Sequence, residues 1–197
     1  MQNTSVFIFA HQDDEFGIYP EIERLINNQT KVIIFYLTSG SLDGKPRQDR
    51  NVESSNVLKD IGINKEDIHF LGTEHNIPAA KMHEYLDILY PELIKLINNV
   101  DKINSLYFLS WEGGHQDHDA THLIGLALAK KLKILDQSYQ FTLYSGHNLP
   151  WILFKLFSPL ASNGNVTIYK VSWALRLKFI KYVLSYRSQV VPIIGLF

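Results

Sequence analysis

The stretch FIFAHQDDEFG, residues 7 to 17, joins an apolar run directly to a histidine and three carboxylates. The run from Ser5 to Ala10 is nearly continuous in apolar character, which is typical of a strand buried on both faces of a sheet. In open α/β sheets, ligands bind beyond the carboxyl ends of the strands. An acidic cluster placed directly after such a strand therefore predicts both the class of fold and the position of a functional site.

Short apolar runs alternate with longer helix-like segments along the rest of the chain. Further strands are predicted at Lys31–Ser39, Ile68–Gly72, Ser105–Ser110 and Gln140–Ser145. Helices are predicted at Tyr19–Asn27, Asp49–Asp60, Met82–Asn98 and Ala120–Lys133. Pro91 is expected to split or kink the third of these helices. The alternation predicts one α/β domain over residues 1–197, with three layers and a mainly parallel sheet.

The composition excludes several classes of protein. The 19 basic and 20 acidic side chains give a net charge of −1, which argues against a nucleic-acid partner because such partners need a basic face. Cysteine is absent, so any metal must be held by His, Asp or Glu. The N-terminus lacks the features of a signal peptide, and no run approaches the roughly 20 apolar residues of a membrane span. A cytoplasmic protein is therefore expected.

A second cluster, SWEGGHQDHDATH at residues 110–122, has the same setting as the first. It follows the predicted strand Ser105–Ser110 and precedes a predicted helix. Because the two clusters follow strands of one sheet, they are expected to come together although they lie far apart in the sequence.

The spacing within the two clusters favours a metal site. His11 and Asp14 are three residues apart, as are His115 and His118, and a tight or helical turn aims such pairs in the same direction. Two histidines and one aspartate, with a water in the open position, form a common catalytic zinc shell. Two carboxylates then remain to act on that water or to orient a histidine, namely Asp13 and Asp117.

The motifs AHQDDE and GGHQDH resemble the two signatures of the LmbE-like (PIG-L) deacetylase family, which usually read AHPDDE and HPDH. Gln12 and Gln116 stand where the family usually has proline. The segments LTSG, RNVE, LKDIGI and SYRSQ are also similar to family features, so the resemblance spans nearly the whole chain. The family has a Rossmann-like fold, and its members are zinc-dependent enzymes that remove the acetyl group from N-acetylated amino sugars and their conjugates.

The resemblance implies a metal-dependent amidohydrolase in which a water activated by the metal attacks the amide. The implied metal ligands are His11, Asp14 and His118. Zinc is the expected metal, with iron(II) as an alternative because these ligands accept both. Asp13 is implied as the general base. A protonated His115 is implied to stabilise the oxyanion or to protonate the leaving amine, and Asp117 to set the orientation or charge of His115.

Two further residues are expected to contact substrate. Arg50 resembles a family arginine near the sugar or its anionic substituent, and a guanidinium suits a phosphate. The alternative is a surface ion pair between Arg50 and Glu53. His147 is expected to line the pocket. The expected partner is an amino sugar, either free or linked to a lipid, a nucleotide or a polymer.

The C-terminal part, from about residue 147, is expected to form a pocket wall or a contact with an oligomer or a membrane. Leu149–Leu160 is strongly apolar but too short to span a bilayer. It fits a core segment, an oligomer contact or a peripheral membrane contact. Residues 171–189 are predicted to form an amphipathic helix with basic residues on one side.

Two other functions fit the same clusters. A metal-dependent phosphoesterase also uses His and Asp shells, although that chemistry often needs two metals and the sequence offers convincing ligands for one. A non-catalytic module that binds a metal or a sugar gives no reason for the unliganded Asp13.

Overall fold

The computed structural model describes residues 3–150 and 154–189. Five strands form one sheet in which every neighbouring pair is parallel. They are β1 (Thr4–Phe9), β2 (Lys31–Tyr36), β3 (Ile68–His69), β4 (Ser105–Leu109) and β5 (Ser138–Phe141), and their order in space is β3-β2-β1-β4-β5. The predicted α/β class with a parallel sheet is confirmed.

Helices cover both faces of the sheet and make a three-layer structure. They are α1 (Tyr19–Asn27), α2 (Gln48–Ile61), α3 (Leu71–Glu74), α4 (Leu86–Ile97), α5 (Gln116–Leu132) and α6 (Trp173–Val183). Alternate residues of β1 serve the two layers, because Phe7 and Phe9 join one apolar cluster while Val6 and Ile8 join the other. No helix in the described ranges is long and apolar enough to cross a membrane.

The strand order places the ends of β1 and β4 side by side. β1 pairs with β2 on one side and with β4 on the other. β2 and β3 therefore extend the sheet in one direction from β1, and β4 and β5 extend it in the opposite direction. Ligands bind at such a switch point in parallel sheets. The loops that carry the two histidine clusters leave the sheet next to each other, at the carboxyl ends of β1 and β4.

The last predicted strand, Gln140–Ser145, is wrong in its extent. β5 ends at Phe141, and Tyr144–Ser145 forms a separate strand, β6, that pairs antiparallel with Lys155–Leu156, β7. The carboxylate of Glu112 accepts the backbone N–H groups of Leu143 and Tyr144, which takes this stretch out of the main sheet.

The predicted helix Met82–Asn98 divides at a different place than expected. A 3-10 turn over Met82–Tyr85 precedes α4, and Pro91 lies inside α4 rather than at a break. The carboxylate of Asp117 accepts the backbone N–H of Met82 and fixes the beginning of this turn.

Other boundaries also differ, and the predicted strand Lys31–Ser39 ends at Tyr36. β3 has only two residues, and the chain enters α3 at Leu71 because Gly72 packs directly against the backbone of Thr38, where a Cβ would overlap. α5 begins at Gln116, four residues before the prediction, since the His115 side chain caps it. A C-terminal helix is present as α6, which is shorter than residues 171–189 and is anchored in the core through Tyr182. The amphipathic pattern expected for it is wrong, because apolar side chains such as Trp173 and Leu177 are exposed.

Candidate active site

The first cluster is shaped by the turn that follows β1. The carboxylate of Asp14 accepts the backbone N–H of His11 at 2.8 Å, which folds the turn back on itself. Asp13 adopts a φ of 106°, in the left-handed region that costs a non-glycine residue about 1–2 kcal/mol. The buried carboxylate of Glu15 accepts the N–H of Asp13 at 2.9 Å and also binds the hydroxyl of Tyr186. The C-terminal segment therefore supports the backbone beneath Asp13.

The second cluster forms the N-terminus of α5. The Nδ1 of His115 accepts the backbone N–H of Asp117 at 3.2 Å and caps the helix. His118 follows one turn later and is completely buried. Gly125 further along α5 lies against the ring of Phe108, and this close packing holds the helix on β4.

The two clusters meet around the carboxylate of Asp14. One of its oxygens lies 3.4 Å from Nε2 of His118, and the other lies 3.6 Å from Nδ1 of His11. Ligand atoms around a tetrahedral zinc ion, with bonds of about 2.0–2.2 Å, are themselves about 3.4 Å apart. Both distances are close to that spacing, and they support the prediction of a metal shared by His11, Asp14 and His118. His115 also offers a nitrogen within 4.8 Å of those of His11 and His118.

The two histidines at the centre are each oriented by a second carboxylate. Nε2 of His11 lies 2.9 Å from Asp117, and Nδ1 of His118 lies 2.7 Å from Glu112. These contacts use the ring nitrogens that face away from Asp14, so the other nitrogen of each ring remains for a metal. Carboxylates behind metal-binding histidines set the tautomer and raise the basicity of the ligand. This arrangement is a second indication of a metal site.

Asp117 and Glu112 both differ from the sequence-based expectations. The carboxylate of Asp117 contacts His11 and not His115. The contact between Asp117 and His115 is made by the backbone N–H of Asp117. Glu112 was not predicted to have any role. It is fully buried, and its second oxygen accepts hydrogen bonds from the backbone N–H of Tyr144 and the hydroxyl of Thr142. The only sequence signal was its place in the loop, six residues before His118.

The carboxylates of the cluster favour protonated imidazoles at His11 and His118, the positions where a metal cation would bind. Burial opposes the charge on His118, yet Asp14 and Glu112 raise the pKa of its imidazole to about 10. Burial also opposes the charge on His11, but Asp14 and Asp117 raise its pKa. Burial works against the charge of Asp14, but the two imidazoles lower its pKa well below the usual range. A metal that binds here replaces these protons.

His115 differs from the other two histidines. Burial, together with the neighbouring imidazoles of His11 and His118, lowers the pKa of His115 to about 3. The lowered pKa favours the neutral ring, and the role expected of a protonated His115 stays a prediction. Because its Nδ1 accepts a hydrogen bond from Asp117, the neutral ring carries its proton on Nε2 and can donate from that atom.

Asp13 lies beside the cluster and is held by Arg50. The guanidinium of Arg50 donates to an oxygen of Asp13 at 3.1 Å and to the carbonyl of Gly40 at 2.9 Å. Burial raises the pKa of Asp13 to about 7, against the opposing effect of Arg50. The alternative of a surface pair between Arg50 and Glu53 is wrong, since Arg50 is buried and Glu53 instead accepts from Ser188.

Gln12 fills the position where the related motif has proline. Its side chain is fully buried and donates to Asn51 at 2.7 Å and to the carbonyl of Thr38 at 3.3 Å. Gln12 thereby ties the first cluster to α2, on which Arg50 also lies.

The expected pocket residue His147 is exposed. It contacts the ring of Trp111, with ring centroids 5.4 Å apart. Tyr144, from the same stretch of chain, reaches the cluster instead, and its hydroxyl lies 3.4 Å from Nε2 of His118. Phe154 packs against Tyr144. Phe154, from the apolar segment Leu149–Leu160, therefore lies next to a residue that reaches the cluster. Residues 151–153, like those at 190–197, lie outside the described residues.

Glu112→Gln is expected to lower the affinity for zinc by about 10–100-fold, because the amide is a weaker partner for Nδ1 of His118. Isothermal titration of the metal-free variant measures this loss. Glu92→Gln, a change to a partly exposed carboxylate on α4, is the matched control and should bind zinc as the wild type does. Unchanged affinity in Glu112→Gln would contradict the role assigned to Glu112.

Comparisons with known proteins agree with this geometry. A family model, PIG-L, described as GlcNAc-PI de-N-acetylase, matches residues 6–129. A search of curated protein sequences found no match.

Several solved structures share the fold. A deacetylase from the biosynthesis pathway of teicoplanin is 14% identical, with a TM-score of 0.70 over 98% of this chain and 87% of the other. N,N'-diacetylchitobiose deacetylase from Pyrococcus horikoshii is 19% identical, with a TM-score of 0.62 over 95% of this chain and 70% of the other. The conserved protein TT1542 from Thermus thermophilus is 18% identical, with a TM-score of 0.58 over 100% of this chain and 84% of the other.

At such identities these structures establish the fold alone. The family match is stronger evidence, because it covers more than half of the chain and includes both histidine clusters. On that evidence the protein belongs to the PIG-L family of GlcNAc-PI de-N-acetylases.

Proposed function

We propose that the protein is a zinc-dependent de-N-acetylase that hydrolyses the acetamide group of an N-acetyl amino sugar or its conjugate. The observation that carries this proposal is the convergence of His11 and His118 on Asp14, with Asp13 beside them and paired with Arg50 rather than with an imidazole. Family membership supports the same reaction.

The metal would be held by Nδ1 of His11, a carboxylate oxygen of Asp14 and Nε2 of His118. These borderline and hard donors suit zinc, with iron(II) as the alternative. When bound, the metal lowers the pKa of a water molecule and polarises the amide carbonyl. His115 is assigned a different task, because its Nδ1 is already occupied by the backbone of Asp117.

Asp13 is the proposed general base. It makes no contact with His11 or His118 of the kind that Asp14 makes, and Arg50 fixes one of its oxygens at 3.1 Å. A pKa near 7 suits a group that must take a proton from the attacking water and later return it. The proton then reaches the leaving amine, either from Asp13 or through His115.

His115 is the proposed hydrogen-bond donor to the oxyanion of the tetrahedral intermediate. Its neutral ring donates from Nε2, so the group needs no positive charge to act. One donor of this kind is commonly worth about 3–4 kcal/mol in the transition state. Tyr144, whose hydroxyl lies 3.4 Å from His118, is a second candidate donor. Asp117 is a positioning residue that acts through His11.

The proposed substrate class follows from the family and from two proteins that share the fold. One is named a teicoplanin deacetylase and the other an N,N'-diacetylchitobiose deacetylase. Arg50 is proposed to contact an anionic substituent of the sugar, and His147 to contact a more distant part of the substrate. The chain from about residue 147 is proposed to form a pocket wall, which the packing of Phe154 on Tyr144 supports.

Acetate release from a panel of N-acetylated sugars tests the proposal. The panel includes N-acetylglucosamine, N,N'-diacetylchitobiose and an N-acetylglucosaminyl phospholipid, and each is offered to protein stripped of metal and to protein restored with zinc. We expect release of acetate only after zinc is restored. Equal release by the stripped protein, or hydrolysis of p-nitrophenyl phosphate in place of the amides, would overturn the proposal.

A further inference from the structure

Helix α6 presents apolar side chains on both of its sides. Tyr182 and Tyr186, the latter just beyond its end, are buried against the core. On the opposite side lies a second stripe at helical spacing, which we call the outer stripe: Trp173, Leu177, Ile180 and Leu184. These side chains are between 53% and 78% exposed. A contiguous exposed apolar stripe of this kind usually marks a surface that binds a partner or a membrane.

Basic side chains flank the outer stripe. Arg176 lies on one side and packs its guanidinium over the ring of Trp173 at 4.8 Å, while Lys181 lies on the other side. Within the described part of the chain, neither makes an ion pair. Lys178 is different, because it pairs with Glu23 at 3.1 Å. Two charges beside the stripe therefore remain for an outside partner.

The charge of the whole C-terminal region is strongly one-sided. Residues 137–197 contain six basic side chains and no acidic one, whereas all 20 acidic side chains of the protein lie in residues 1–136. The net charge of −1 does not show this separation, because the basic and acidic side chains of the whole chain nearly cancel. The region that carries the outer stripe is therefore cationic and apolar at once.

We propose that the outer stripe of α6 docks the protein on an anionic lipid bilayer. Trp, Leu and Ile side chains enter the boundary between headgroups and acyl chains, and lysine or arginine beside them pairs with lipid phosphates. Each basic side chain near such a surface contributes about fivefold in affinity. This inference does not depend on the proposed deacetylase activity.

Two other occupants fit the observations less well. A second copy of the chain would bring two cationic surfaces face to face, which like charges oppose. The apolar segment at residues 190–197 carries no charged side chain, so it offers no partner for Arg176 and Lys181. An anionic bilayer complements both the apolar and the basic side chains.

Flotation with lipid vesicles tests this proposal without any assay of catalysis. The full chain is mixed with phosphatidylcholine vesicles, with and without one third of phosphatidylserine. We expect binding to the anionic vesicles only, and weaker binding as salt is raised. Leu177→Ser should lower the affinity about tenfold, and Arg176→Gln with Lys181→Gln should lower it about fivefold for each charge removed.

Two matched variants serve as controls. Leu123→Ser removes a leucine from α5 that is 58% exposed, and Lys130→Gln removes an exposed charge from the same helix. Both should bind vesicles as the wild type does. Because Leu177 is exposed, its variant should keep the wild-type melting temperature. The proposal is overturned if the wild type does not float with anionic vesicles, if Leu177→Ser binds as tightly as the wild type, or if sedimentation shows that Leu177 serves only self-association.

Discussion

Asp13→Asn is expected to bind one zinc ion as tightly as the wild type and to lower kcat by about 10³-fold. The amide keeps the shape of the side chain and its contact with Arg50, but it cannot accept a proton from water. Asp13 contacts Arg50 and not the imidazoles that surround Asp14, so its loss leaves the metal ligands intact. Metal analysis and steady-state acetate release measure the two quantities on one preparation.

Asp14→Asn is the matched control, because it makes the same chemical change one residue further along. It should lose zinc affinity as well as turnover, since Asp14 faces both His11 and His118. If Asp13→Asn turns over at the wild-type rate, Asp13 is not the base. If it loses its zinc, Asp13 is a ligand and the two carboxylates have been assigned the wrong way round.

His118→Ala is expected to lose metal and activity together. The change removes one of the three proposed ligands and leaves the buried carboxylate of Glu112 without its imidazole partner. Loss of an orienting residue behind a ligand already costs about 10–100-fold in metal affinity, so loss of the ligand itself should cost more than about 100-fold. Acetate release should fall to the level of the metal-stripped wild type.

His122→Ala is the control for truncating a histidine side chain on α5. His122 lies one helical turn beyond His118, and its Nδ1 lies 3.3 Å from the carbonyl of Leu109, away from the cluster. It should retain zinc and most of the activity. A His118→Ala protein that binds zinc like the wild type, or that still releases acetate, would rule out His118 as a ligand.

The sheet and the meeting of the two clusters were predictable because they depend on local pattern. β1 is buried at every position, and the apolar run Ser5–Ala10 identifies such a strand without knowledge of its neighbours. The acidic turn follows directly from it. Once β4 is also recognised, parallel topology brings His11 and His118 to the same end of the sheet, and the strand order places β1 beside β4.

The contacts behind the histidines were not predictable, because they depend on how separate loops pack. Glu112 reaches His118 only because its loop turns beneath β6, where Tyr144 donates to its carboxylate. Asp117 reaches His11 across more than a hundred residues, and the sequence offered His115 as a nearer partner. One contact joins residues 106 positions apart and the other joins residues six apart, and the spacing along the sequence specifies neither.

The C-terminal half of the site shows the same limit. The stretch YSGHN at residues 144–148 led to His147 as a predicted pocket residue, but it gave no sign that the hydroxyl of Tyr144 reaches His118. The link between Glu15 and Tyr186 joins positions 171 residues apart. In both examples the contact depends on the packing of the folded chain, and the residue types alone do not predict it.

The central claim is that one metal ion is shared by His11, Asp14 and His118 while Asp13 remains free. A crystal structure of the zinc-loaded protein, with anomalous data at the zinc edge, tests it most directly. We expect one anomalous peak within about 2.0–2.2 Å of Nδ1 of His11, of an Asp14 oxygen and of Nε2 of His118. A peak bound by Asp13, two peaks in the cluster, or no zinc between positions 11 and 118 would contradict it.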